Sequence, residues 1–166
     1  VNDVITISDD ADIDFGTNDF SISLSFKPND VSGTEYFLNK EAAGIGYGIY
    51  KTDDDLYIRF DDGTTDVSGI IATAKIVADV WYNLTITFDR SGNATAYLNG
   101  VSVGTVAIST AALTLSSAGD LLVGSTTAGA SFFDGELKNV ILFNRLLTAA
   151  QSESLYKSAE IPYADI

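Results

Sequence analysis

Residues 81–100 read "WYNLTITFDRSGNATAYLNG". Tyr82, Leu84, Ile86 and Phe88 recur at every second position, the period that places apolar side chains on one face of a half-buried β-strand. "DRSGN" at 89–93 follows as a turn, and the chain returns in a second strand. Asn99-Gly100 then closes a tight hairpin, because both residues accept positive φ at little cost. A Trp-led strand, a turn, a second strand and an Asn-Gly hairpin make a meander of antiparallel strands.

The same period runs outward in both directions. "FSISLSFK" (20–27) sets Phe20, Ile22, Leu24 and Phe26 against Ser21, Ser23, Ser25 and Lys27, and "LYIRF" (56–60) and "VILFN" (140–144) repeat the pattern. Turn clusters such as "NDVSGT" (29–34), "EAAGIG" (41–46), "DDGTT" (61–65) and "SSAGD" (116–120) separate these runs. Short strands with such regular punctuation predict an antiparallel sandwich or barrel. One helix stands apart in "LLTAAQSESLYKS" (146–158), where Thr148 and Gln151 form a capping box ahead of Leu155 and Tyr156. It is expected at the end of the sandwich. Residues 1–160 read as one domain and residues 161–166 as an extended tail.

The chain has 166 residues, 46% of them hydrophobic, which suits a single well-buried core. It has no Cys and no His, so disulfides, thiolate nucleophiles, the usual zinc sites and Ser-His-Asp chemistry are excluded. The net charge is −14, and 18 of the 23 acidic residues are Asp. Such a surface repels phosphate backbones and anionic membranes, so no nucleic-acid partner is expected. No apolar run reaches the length that spans a bilayer, and no membrane insertion is expected. A sequence that starts with Val and contains no Met is expected to be a processed chain or a domain cut from a larger protein, with neighbouring domains.

Together, the 81–100 stretch, "TNDFSISLSFKP" (17–28), "LLVGS" (121–125) and "FFDGELKNVILFNRLLTAAQ" (132–151) resemble the laminin-G-like, concanavalin A-like lectin and glucanase superfamily, in order over nearly the whole chain. The resemblance implies an all-β jelly-roll sandwich of two curved antiparallel sheets, here with one short C-terminal helix. In many relatives one concave face holds a glycan and a calcium ion sits near the rim. Catalytic members carry two glutamates and an aspartate close together on one strand. The five glutamates here, Glu35, Glu41, Glu136, Glu153 and Glu160, contain no such set, so no enzyme is expected.

Asp10, Asp12 and Asp14 in "SDDADIDFG" (8–16) fall at every second position, which in a strand would line three carboxylates on one face. A catalytic set, a solvated edge that discourages strand pairing, and calcium ligation are the alternatives. What the resemblance implies for calcium, the candidate cofactor, is a set of Asp12, Asp14 and Asp134. A few positions after the Asp-Gly glycine, where relatives often have an acidic residue, this chain has Lys138 and Asn139. For sugar binding, "GYGIYKTDDDLYIRFDDG" (46–63) offers Tyr47, Tyr50, Tyr57 and Arg59, with Asn39 and Lys40 just upstream. Trp81 reads as core filling at a strand start, with a sugar-stacking platform as the functional alternative. Asn83 and Asn93 open two Asn-x-Thr sequons.

These readings point to a non-catalytic carbohydrate-binding or adhesion module, partnered by a glycan or a surface protein and located outside the cell, on the cell surface or on a virion surface. The alternative is a structural or interaction domain, such as a virion decoration, spike, fibre or surface layer, without sugar affinity.

Overall fold

Strict alternation along β2 (Phe20–Pro28), β5 (Asp55–Asp62) and β7 (Tyr82–Phe88) sends one set of side chains into a shared core. Phe20, Ile22, Leu24 and Phe26 from β2, Leu56, Ile58 and Phe60 from β5, and Leu84, Ile86 and Phe88 from β7 are all buried. The structure, a computed structural model, describes residues 3–126 and 129–160, so the tail read at 161–166 lies outside the described residues. The other strands are β1 (Ile5–Ile7), β3 (Thr34–Ala42), β4 (Ile45–Thr52), β6 (Asp66–Ala72), β8 (Asn93–Leu98), β9 (Val101–Ala107), β10 (Leu121–Val123) and β11 (Gly135–Phe143), followed by helix α1 (Ala149–Glu160). They form a six-stranded sheet, β1-β10-β3-β4-β5-β6, and a five-stranded sheet, β11-β2-β7-β8-β9. This is the all-β jelly-roll sandwich that the sequence predicts. Aromatic stacking closes the core, with the Phe20 ring 4.0 Å from Phe15 and 4.3 Å from Phe88.

The turns follow their residues. Asn99 and Gly100 take φ of 52° and 75°, and Leu98 pairs with Val101 across them. The 89–93 turn does more than reverse the chain. Its Arg90 is buried and donates to the carbonyls of Gly16 (2.6 Å), Ala111 (2.8 Å) and Leu113 (2.6 Å), with its guanidinium 4.8 Å over the Phe60 ring. The turn therefore pins two long loops to the core.

The capping box is present in both directions. Thr148 N–H donates to Gln151 Oε1 at 2.9 Å, and Gln151 N–H donates to Thr148 Oγ1 at 3.2 Å. The helix does not sit at the end of the sandwich as expected. It lies on the outer face of the five-stranded sheet, against β7, β8 and β9. The outward residues of β2 and β7 are small there, and Ser21, Ser23, Ser25 and Thr85 are buried.

The acidic ladder is also different from its strand reading. Residues Ala11–Ile13 form a 3-10 turn, capped by the Asp10 carboxylate, which accepts Asp12 N–H at 2.9 Å. An Asp side chain that bonds backbone two residues on competes with extended structure, so the three carboxylates do not share a strand face.

Candidate ligand-binding face

A β-bulge builds the most distinctive surface of the molecule. Counted back from the β3–β4 turn, Leu38 pairs with Ile49, but the next pair is Tyr36 with Tyr50, leaving Phe37 as the extra residue. Phe37 and Leu38 both enter the core. Tyr36 is thereby brought to the outer face of the six-stranded sheet, opposite Tyr50, which in turn pairs with Tyr57 on β5. The three rings stack across three strands, with Tyr36 to Tyr50 centroids at 4.7 Å and 15°, and Tyr50 to Tyr57 at 5.1 Å and 13°. Each is half-buried. Ile70, opposite Tyr57 on β6, extends the strip and is exposed.

One pair along the strands, the floor is Asn39, Gly48, Arg59 and Ser68, aligned on β3, β4, β5 and β6. A Cβ on Gly48 would lie 3.1 Å from a Tyr36 ring carbon and 3.3 Å from Asn39 Nδ2, so glycine is what lets the ring lie this close. Asn39 is 3% exposed, and its Oδ1 has no donor among the described residues. Arg59 donates to Glu41 (2.6 Å) and Asp61 (3.2 Å) and pairs with Asp66 (3.3 Å). Burial pulls the guanidinium down, but Glu41, Asp66 and Asp61 together outweigh it and hold it above its ordinary value. Burial likewise raises the Tyr36 and Tyr50 phenols. One cation beside three carboxylates leaves this face locally negative.

Of the sequence candidates, Tyr50, Tyr57 and Arg59 are brought together here. Tyr47 is not, because it lies three residues from Tyr50 and so falls on the opposite side of β4. It is 1% exposed in the core, its hydroxyl donates to Ile13 O at 3.1 Å, and burial drives its phenol far above the usual range. Trp81 leads into the other sheet, so it joins neither the tyrosines nor the core. It is 37% exposed, with Lys138 Nζ 3.9 Å and Lys27 Nζ 5.8 Å from its ring. Tyr36 escaped the sequence reading because only the bulge turns it outward. Of the two sequons, Asn83 is buried in β7 and Asn93 is exposed at the start of β8.

The aspartates proposed for calcium are not gathered. Asp14 pairs with the fully buried Lys40 at 2.9 Å, and Lys40 also holds Asp9 and the carbonyls of Ser117 and Gly119. Asp134 accepts Asn29 Nδ2 at 2.7 Å, and its N–H donates to Glu35 at 3.1 Å. Lys40 and Glu35 stand near opposite ends of β3, roughly 16 Å apart along an extended strand. Asp12 is exposed in the 3-10 turn. Among the described residues no group of three acidic side chains could hold a metal ion. Four of the five glutamates are engaged in ion pairs: Glu35 with Lys51, Glu41 with Arg59, Glu136 with Lys27 and Glu153 with Lys157.

The sequence model of the concanavalin A-like lectin/glucanases superfamily matches residues 1–151. The chain belongs to this superfamily. Solved concanavalin A-like neighbours include the binding domain of Paraclostridial Mosquitocidal Protein 1, at 20% identity and a TM-score of 0.74, covering 94% of this chain and 41% of that one. The Botulinum neurotoxin serotype G binding domain gives 17% identity and a TM-score of 0.77, covering 95% and 45%. The serotype D ligand binding domain, solved in complex with N-acetylneuraminic acid, gives 14% and 0.75, covering 94% and 40%. At these identities the likeness is one of fold, and the chain spans less than half the length of each of these neighbours. No curated protein matches the sequence. No helix among the described residues is long and apolar enough to cross a membrane.

Proposed function

We propose that this domain is a non-catalytic glycan-binding module of an extracellular or surface protein, and that it takes neutral sugars on the outer face of the six-stranded sheet. The observation that carries the reading is the stack of Tyr36, Tyr50 and Tyr57, three near-parallel half-exposed rings beside Arg59, Asp66 and Ser68. Pyranose rings present apolar C–H faces that pack on aromatic surfaces, while their hydroxyls both donate and accept. Carboxylates and a guanidinium fixed by ion pairs supply the matching acceptors and donors without further ordering. The local negative charge favours uncharged sugars over acidic ones. A binding role also agrees with the neighbours, which are binding domains by their own descriptions. The placement of the glutamates supports a non-catalytic role, since Glu35 and Glu41 stand near opposite ends of β3, roughly 20 Å apart along an extended strand and too far for a glycosidase pair.

A glycan array tests this, run with calcium and with chelator on the wild-type domain and on Tyr50→Ala. Calcium enters as an arm because the proposed ligand set is dispersed. Binding to neutral oligosaccharides in both conditions, lost in Tyr50→Ala, is the expected result. A wild-type domain that melts cooperatively yet binds nothing in either condition overturns it and passes the reading to the structural or interaction module.

A further inference from the structure

The opposite sheet carries a second feature of a different kind. Between α1 and the outer face of β2, β7 and β11 lies a cavity of about 220 Å³, lined by Trp81, Tyr82, Asn83, Lys138 and Tyr156 among others. A neighbouring cavity of about 230 Å³ shares Asn83 and Ala159 with it. Asn83 is 5% exposed, and its polar groups are almost fully used. Its Nδ2 lies 3.3 Å from Leu24 O and 3.4 Å from Ser25 Oγ, and its backbone N–H donates to Asn99 Oδ1 at 2.9 Å. Its Oδ1, however, has no donor among the described residues. A buried acceptor without a donor is costly, and a ligand hydroxyl would supply one.

The charge at this cavity is the reverse of that on the tyrosine face. Lys27 is paired with Glu136, but Lys138 has no carboxylate partner among the described residues and lies 3.9 Å over the Trp81 ring. In a chain of net charge −14, an unpaired lysine beside a cavity that Asn83, with its unmet acceptor, helps to line is placed for an anion that also carries hydroxyls. The cavity is smaller than the range of about 300–1,000 Å³ that suits drug-sized ligands, so it fits one ring. We infer that the cavity beneath α1 is a ligand site for a sugar acid, with its hydroxyl on Asn83 Oδ1, its apolar face against Trp81, and its carboxylate on Lys138. The adjoining cavity continues the site for a second ring when the acid ends an oligosaccharide.

Trp81 is the only tryptophan of the chain, so its fluorescence reports on this cavity directly. The test titrates methyl glucuronide, a glucuronate-terminated oligosaccharide and methyl glucoside into the wild type, Lys138→Gln and Tyr50→Ala. Saturable change with either acid, about tenfold weaker for the neutral glucoside and for the acid with Lys138→Gln, is expected. A response to the free acid assigns the monosaccharide as ligand, and one to the oligosaccharide alone assigns a polymer end. Tyr50→Ala should respond like the wild type, which separates this site from the tyrosine face. Equal response to acid and glucoside, an unchanged response in Lys138→Gln, or no saturable change overturns the inference.

Discussion

The two sheets turn opposite kinds of polar surface outward. On the five-stranded sheet the outward residues are small: Ser21, Ser23, Ser25 and Thr85 are buried and α1 covers part of that face. On the six-stranded sheet they are wide: Tyr36, Tyr50 and Tyr57 stand half-buried and side by side. Both surfaces come from the same period-two alternation, so alternation alone does not say which one another layer will cover. Side-chain size does. Short hydroxyls let a second layer approach and hold it in place: Ser21 Oγ donates to Arg145 O at 2.9 Å and accepts Leu147 N–H at 3.0 Å just ahead of the helix. Stacked phenols instead fill the space a helix would need and leave a surface suited to a flat ligand.

The largest expected effect breaks the tyrosine-bearing sheet from within. Gly46 has φ of 146°, and a Cβ there would meet Lys40 O at 1.9 Å. Gly46→Ala should pry β4 from β3 and cost about 3 kcal/mol or more, read from the urea unfolding midpoint. Next comes a matched pair of changes, one on each face. Ser23→Leu, which removes the oxygen that accepts from the buried Thr85 Oγ1 at 3.0 Å on the covered face, should cost about 1–3 kcal/mol by leaving that hydroxyl without its partner. Ser68→Leu, on the open face, should stay within about 0.5 kcal/mol. Equal costs in thermal unfolding would remove the contrast between the faces.

A smaller effect sharpens it. Thr148→Ala deletes half of the capping box and should cost about 1 kcal/mol. Hydrogen exchange should quicken in α1 while glycan binding by the tyrosines is unchanged. The smallest effect is in the pH dependence. Burial raises the Tyr36 and Tyr50 phenols, so the unfolded chain, titrating near about 10, loses these protons before the folded one. Their contribution to stability is therefore complete below that pH and fades as pH rises through the folded values. Phenolate absorbance should show Tyr36 and Tyr50 ionising late, with Tyr47 ionising only on unfolding.

Much of this architecture is legible in the chain itself. The apolar phase of β2, β5 and β7 marks the core correctly, Asn99-Gly100 marks its hairpin, and Thr148 with Gln151 marks the helix start, because each depends on local chemistry. The candidate site is legible only in part. Tyr57 and Arg59 share a face by simple alternation, and the odd spacing of Tyr47 and Tyr50 already separates them. Tyr36 is hidden, since without the bulge at Phe37 it would face inward. The Asp10, Asp12 and Asp14 spacing misleads for a local reason, as Asp10 caps a turn that ends the extended reading. Lys40 reads as a polar neighbour of the sugar site but faces inward, where Asp9 and Asp14 hold it.

The central claim is that the uncovered tyrosine face takes the sugar. Chemical-shift mapping by NMR tests it most directly, adding the strongest neutral glycan from the array to the isotope-labelled wild-type domain. The account predicts perturbations centred on Tyr36, Gly48, Tyr50, Tyr57, Arg59 and Ser68, with α1 and β11 unmoved. Perturbations confined to the loops or to the helix-covered sheet, with these residues silent, would contradict it.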